Sequence, residues 1–276
     1  MTRLSFDLAT VCGLVLAFSG IVGGLLLEGG SVLDVAQLTA ALVVFGGTLG
    51  AVLIACPMQA CRGAAEKLKS VFFPPRVDSR DDLAKILMYA VQARKTGIVS
   101  LESELDAIEN PFLQKALMLA VDGVDSETIR EVMRIEMEIT EQDEISHARV
   151  FEVAGGYAPT VGILGAVLGL IQVMKHLENI DEVGKGIAIA FVATVYGVGS
   201  ANLLFLPAAA KIRNLIRAEW KNNEMLLEGV CCIAEGLNPR IIARKMEPFV
   251  RQGARRSVKL TSSTSETASG DAPDYA

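Results

Sequence analysis

The sequence predicts an all-α polytopic membrane protein. It would have four transmembrane helices, a helical cytoplasmic domain between helices 2 and 3, and a helical cytoplasmic C-terminal extension. Three observations predict this. Residues 8–27, 36–56, 157–174 and 186–210 contain no Asp, Glu, Lys, Arg or His, and each approaches the ~20 residues that cross a bilayer. The chain is 51% hydrophobic yet 21% charged, too apolar for an ordinary soluble domain and too charged to lie wholly in lipid. Of its 26 Lys and Arg, only Lys175 and Lys185 fall in the short connections that join these segments in pairs. The positive-inside rule then places both termini and residues 57–150 in the cytoplasm, with 28–35 and 175–185 outside.

Taken in order, residues 1–56 form the first hairpin, with spans at about 5–27 and about 36–56. The first span is not a cleaved signal peptide, because Asp7 interrupts the leading region and "LLLEGG" is no small-residue cleavage site. The second carries "FGGTLGA" and is ended by Pro57. Residues 57–150 read as a cytoplasmic helical domain entered through the turn "FFPPR" at 72–76. Its first full helix begins at Ser79 as N-cap, ends at Gly97, and puts Leu83, Ile86, Leu87, Ala90 and Val91 on one face. "SLESELDAIENP" is a shorter helix stopped by Pro111, followed by "FLQKALMLAVDG". The next helix starts near Asp125 or Ser126, with Ile129, Val132, Met133, Glu136, Ile139 and Asp143 on neighbouring rows, and meets no turn signal before the bilayer. The second hairpin, 151–211, has spans at about 153–174 and about 186–210. Residues 212–259 give a long helix stopped by Gly236 and Pro239 and then a short one, and the Ser- and Thr-rich 260–276 reads as a disordered tail.

Composition excludes several function classes. A net charge of −6 offers no basic face for nucleic acid. The five cysteines form no disulfide framework, and His147 and His176 are too isolated for metal-ligand spacing. Phosphate-cradling loops and nucleophile elbows are missing, so an enzyme finds little support and no cofactor is implied.

The chemistry therefore rests on "YAPTVGILGAVLGL" at 157–170. Glycine is costly in a helix in water, but between membrane helices it permits close backbone approach. Gly162, Gly165 and Gly169 lie along one stripe, and Ala193, Gly197, Gly199, Ser200 and Ala201 offer a matching small surface. Pro159 frees the carbonyl of Gly155, and Pro207 that of Leu203. Such carbonyls persist at membrane depth only if buried in protein or facing a wet cavity, so a polar vestibule and a simple kink are both open. Thr160 and Thr194 are the polar candidates. A lone threonine in a membrane helix ordinarily bonds its own backbone. Their spacing makes them rungs at different depths, Thr194 being nearer the level of Ala166. No carboxylate lies in any uncharged span, although a proton relay through a membrane needs one. If the protein moves ions, another chain must supply the acid.

These stretches, with "AIAFVATVYGVGSANLLFLP" and "EGLNPR", resemble the MotA/PomA family of flagellar motor stator subunits over about residues 5–250. The wider group includes TolQ and ExbB, whose three spans fit less well than the two back-to-back hairpins here. The resemblance implies a ring, thought to be five subunits, in the bacterial inner membrane around two copies of a MotB-type single-span protein that supplies the aspartate. It implies that Thr160 and Thr194 face that aspartate and that Pro159 and Pro207 serve the torque-generating change. "ARKTGIVSLESEL" resembles the stretch that meets the rotor protein FliG, with Arg94 and Glu102 at the matching positions and Lys95 and Glu104 as neighbours. Ala166 and Ala193 stand where sodium-type relatives tend to carry hydroxyls. Without those oxygens a hard cation loses ligands, which favours H+ over Na+. Alternatives are a TolQ/ExbB-type energiser of an envelope machine, a four-helix scaffold, or a small transporter.

Overall fold

The computed structural model describes residues 7–75, 78–175, 177–178 and 180–262, and all its regular elements are helical. Two compact units emerge, one from Met1–Arg76 with Glu141–Ile216, the other from Val77–Thr140 with Arg217–Ala276. Among the described residues, four helices are long and apolar enough to cross a membrane.

In the first unit, α1 (Leu8–Leu27) starts where the Asp7 carboxylate accepts from the Ala9 N–H at 3.0 Å. The expected start near residue 5 lies outside the described residues. The connection after α1 contains a one-turn helix, α2 (Val32–Val35), closed by a Ser31–Asp34 capping box. Ala36 and Gln37 break the chain, so the second span, α3 (Leu38–Ala55), begins later than sequence suggests. Within α3, Leu42–Gly46 form a widened π-helical turn. Pro57 ends α3 by forcing Cys56 to extended backbone, φ −119° and ψ 142°. The amphipathic α4 (Met58–Phe72) then buries Ala60, Ala64 and Val71. Its partners include Val150 and Ala154 in one cluster and Ala148, Ala208 and Ile212 in another. These contacts put 57–72 and 141–150 in the same compact unit as the hairpins.

The second unit begins with α5 (Ser79–Thr96). Its N-cap is Asp78, which accepts from the Arg80 N–H at 3.1 Å, and not Ser79. The Ser79 hydroxyl instead donates to Asn222 Oδ1 at 2.9 Å. The buried face centres on Ile86, Tyr89 and Ala90, and Val91 is exposed. Gly97 closes the helix at φ 87°, a value favouring glycine. The "SLESEL" stretch is a 3₁₀ turn (Ile98–Leu101) and a single α turn, α6 (Glu102–Leu105). Pro111 does not stop it. Pro111 opens α7 (Pro111–Val121), with Asn110 as cap. Next comes α8 (Ser126–Lys175), a 50-residue helix capped by Asp125 that continues through Pro159. Its buried row is Ile129, Met133 and Met137, while Val132 and Ile139 are exposed. The fourth apolar helix, α9 (Ile180–Ala234), contains a second π turn at Ala201–Phe205 and ends before Gly236, φ 68°. The last helix, α10 (Pro239–Ser262), is 24 residues long, so it is not short. It absorbs residues 260–262 of the expected tail, and 263–276 lie outside the described residues.

Candidate functional site

Small side chains set the geometry of the second hairpin. A Cβ added at Gly162 would lie 2.9 Å from the Ala193 carbonyl oxygen and 3.2 Å from the Gly197 Cα. At Gly165 it would lie 2.8 Å from the Ala193 Cβ, and at Gly169 3.0 Å from the Ala190 backbone nitrogen. From the other side, a Cβ on Gly197 would come within 2.5 Å of the Ala158 carbonyl oxygen. Gly162 thus meets Gly197 while Gly169 meets Ala190, so α8 and α9 run antiparallel with their backbones nearly touching. The seam expected from the glycine stripe exists. Gly199 is not part of it and has open space around its Cα.

The polar candidates flank this seam. Thr160 is exposed, on the face of α8 where Val153, Gly156 and Tyr157 line an open groove of about 380 Å³. Its hydroxyl donates to the Tyr157 carbonyl at 2.8 Å. Thr194 is half-buried and donates to the Ala190 carbonyl at 3.3 Å. The structure does not bring the two hydroxyls together. Ala193 packs between Gly162 and Gly165, which puts Thr194 close to the level of Ala166 and away from Thr160. Ala193 is fully buried and Ala166 half-buried.

The two prolines sit in different surroundings. The turn opened by Pro159 is covered by protein: Gly155 is buried, and a Cβ there would meet Leu206 Cδ2 at 2.6 Å. Pro207 is exposed and follows the π turn, which accommodates a residue with no N–H to donate. It borders a mostly apolar cavity of about 390 Å³ between α1, α4 and α9, whose polar lining is Thr10, Asn202 and Lys211.

Several interactions here were not read from the sequence. Lys211 forms an ion pair with Asp7 and a hydrogen bond with Thr10. Both charges flank uncharged spans at what the charge pattern makes their cytoplasmic ends, and that signal could have paired them. The Tyr196 hydroxyl donates to the Val35 carbonyl at 2.6 Å and accepts from the Gln37 N–H at 3.3 Å. No sequence spacing announces it.

In the second unit, Arg94 lies in the last turn of α5 and Glu102 opens α6, and both are exposed. The Gly97 bend and the 3₁₀ turn hold them on adjoining elements, braced by a 2.7 Å contact between the Thr96 and Ser100 hydroxyls. Lys95 is exposed and Glu104 half-buried. Elsewhere in this unit, Glu228 accepts from Arg130 at 3.0 Å and from Lys245 at 2.9 Å. Burial alone would raise the Glu228 pKa, but these hydrogen bonds outweigh it and hold the carboxyl below its ordinary value. Burial pushes the neighbouring Cys231 thiol up to about 11, so it is protonated and unreactive at neutral pH. Among the described residues, no group of three or more His, Cys, Asp or Glu could hold a metal ion.

Comparison with known proteins agrees with this arrangement. Residues 11–97 match the family model for the motility protein A N-terminal region, and residues 104–225 match that for the MotA/TolQ/ExbB proton channel family. The chain is 35% identical over 241 residues to motility protein A of Bacillus subtilis, covering 87% of this chain and 89% of that one. It is 31% identical to chemotaxis protein PomA of Vibrio alginolyticus, covering 90% and 97%. Among solved structures, C. jejuni MotAB is similar at TM-score 0.84 and 36% identity, covering 88% of this chain and 95% of that one. The flagellar MotAB stator complex from Bacillus subtilis is similar at TM-score 0.82 and 34% identity, covering 91% and 99%.

Proposed function

The chain belongs to the motility protein A family within the MotA/TolQ/ExbB proton channel group, and on that premise we propose that it harvests the ion gradient with a borrowed carboxylate. It is a multi-pass protein of the bacterial inner membrane and a flagellar stator subunit, assembling in several copies with a MotB-type partner. Its work is passage of ions coupled to torque, with no covalent reaction on a substrate. One observation carries the reading. The two tightly seamed spans present hydroxyls and bare backbone and hold no Asp, Glu, Lys, Arg or His.

The physical scheme follows from magnitudes. One elementary charge crossing the membrane releases about 2.3 kcal/mol per 100 mV, and an ionised Asp at mid-bilayer costs about 2.5–3.5 kcal/mol on insertion scales. These are comparable, so a partner's aspartate can stay ionised beside a polar notch and needs a proton before it passes apolar wall. Thr160 and Thr194 supply the notch's polar groups as separate rungs at different depths. Each donates to its own helix at rest; turned out of that bond, the hydroxyl donates to the ionised carboxylate, and its lone pairs accept from the carboxyl once that is protonated. Ala166 presents a methyl group where a bare cation would need an oxygen, and Ala193, buried in the seam, adds no hydroxyl either, which favours H+ over Na+. Pro159 and Pro207, each lacking an N–H for the helix ladder, are the points at which α8 and α9 yield during the torque-generating change. Arg94 and Glu102 pass rotation to the rotor protein FliG through exposed charge contacts, each weak by itself. The ring holds five chains around two partner chains, with both termini in the cytoplasm.

The test is complementation. Expressed with its single-span partner in a host lacking stators, the chain restores swimming, and replacing the partner's membrane Asp by Asn abolishes it. If the Asn variant swims at full speed, the reading fails.

A further inference from the structure

In the charge-free spans of α8 and α9, Thr160, Thr194 and Ser200 bond their own helices in the ordinary way. Thr160 donates to Tyr157 at 2.8 Å, Thr194 to Ala190 at 3.3 Å, and Ser200 to Gly197 at 3.2 Å, each a carbonyl three or four residues back. Thr48 in α3 differs. It is 3% exposed, and its hydroxyl is buried with no hydrogen-bond partner. The carbonyls it would use, Val44 and Phe45, lie in the π turn Leu42–Gly46, where the backbone is wound one residue wider. The Gly47 N–H donates to both Val43 and Val44 there. The orphaned hydroxyl thus sits directly after the wide turn.

The surroundings give this orphan a consequence. Val44, Thr48 and Val52 form one buried row at successive i, i+4 positions. Val44 packs with Val192 and Ala193 of α9, and Val52 packs with Val150 and Ala154 of α8. Gly47 lies against Val161, whose Cγ1 would be 2.8 Å from an added Cβ. Beyond the turn, Tyr196 holds Val35 and Gln37. The segment is thus held at both ends, and it can change only by changing its winding. Rewinding a π turn to α shifts one side against the other by one residue, about 1.5 Å along the axis and about 100° around it. That would slide Val44 along Ala193, the residue before Thr194. The second π turn, Ala201–Phe205, lies on α9 itself and can take up the same step.

We propose that Thr48 is a positioning residue: its hydroxyl gains a carbonyl partner only when the turn Leu42–Gly46 winds to α, giving α3 two registers against Ala193 and Thr194. This rests on the stator reading. It adds a step inside the chain.

The experiment compares T48V, which keeps the shape and loses the hydroxyl, with T48S, which keeps the hydroxyl. Each is co-expressed with the single-span partner in a host lacking stators, beside wild type. Failure of the wild type to restore motility would count against the stator reading itself. Given that wild type works, T48V should reach the membrane and assemble normally. It should turn the motor about fivefold more slowly at low load, the factor set by one neutral hydrogen bond, and hold its torque near stall. T48S should run at wild-type speed. Three results would overturn the proposal. T48V could match wild type in speed. T48V and T48S could be equally slow, making shape the cause. T48V could fail to accumulate, meaning the hydroxyl is already bonded in the resting fold.

Discussion

The Tyr196 hydroxyl donates a 2.6 Å hydrogen bond to the Val35 carbonyl, 161 positions away in sequence, and accepts the Gln37 N–H at 3.3 Å. The two bonds close over the chain break at Ala36–Gln37, where backbone groups have left one helix and not yet entered the next. The Gln37 N–H also donates to the Val35 carbonyl at 3.0 Å, so the tyrosine adds a second partner to each of these groups. Tyr196→Phe keeps the ring beside Phe45, whose centroid is 6.0 Å away, and removes only the hydroxyl. We expect a loss of about 1–2 kcal/mol, read as a lower thermal midpoint of the detergent-purified complex. An unchanged midpoint would show that solvent replaces the bond freely.

The seam predicts a contrast between two glycines of α9. Gly197→Ala places a methyl 2.5 Å from the Ala158 carbonyl oxygen, part of a backbone that cannot step aside, whereas Gly199→Ala meets nothing within 4 Å in the chain. The first should cut the amount of folded protein in the membrane several-fold, and the second should leave it alone. Immunoblots of membrane fractions decide between them, and equal levels would refute the register.

Removing both notch hydroxyls, Thr160→Ala with Thr194→Ala, should lower proton flux and swimming speed together by more than either single change. Because each threonine bonds its own helix, folding should survive. Unchanged flux in the double variant would remove the notch from the mechanism.

Charge reversal at Arg94 should impair swimming without lowering protein level, because the side chain is exposed on the last turn of α5. An opposite reversal on the rotor should restore part of the speed. If no rotor charge reversal rescues it, Arg94 is not a rotor contact.

Glu228 predicts an acid-sensitive cytoplasmic unit. Its folded pKa is depressed from 4.5 by Arg130 and Lys245 against the opposing effect of burial. A depressed carboxyl stabilises the fold fully above its unfolded pKa and loses that contribution as pH falls through the folded value. Unfolding midpoints should therefore drop below about pH 4.5 in wild type, and Glu228→Gln should be less stable at pH 7 with a flatter acid limb. Parallel curves would assign the acid loss elsewhere.

The spans were legible because lipid imposes a simple rule: long charge-free stretches must be helices. The seam was legible because glycine at spacings of three and four has few other uses there. Less visible were features created by contact over long sequence distances. Ser79 resembled an N-cap as much as Asp78 did, and only the fold showed Ser79 bonded to Asn222 instead. Pro111 was misread as a stop because proline serves equally at the first position of a helix, which it occupies in α7. Val91, Val132 and Ile139 fit the periodicity and are exposed, since α5 and α8 bury narrower rows than their apolar faces allow. The π turns, the orphan at Thr48 and the Tyr196 clamp left no pattern in composition or spacing.

The claim beneath all of this is that the chain builds the wall of an ion path and must obtain its carboxylate from another protein. Proton flux into liposomes measures it directly, with the purified chain alone and with the chain co-purified with its single-span partner. The account predicts flux at the level of empty liposomes for the chain alone, and flux with the partner that disappears when the partner's aspartate becomes asparagine. Rapid flux through the chain by itself would contradict it.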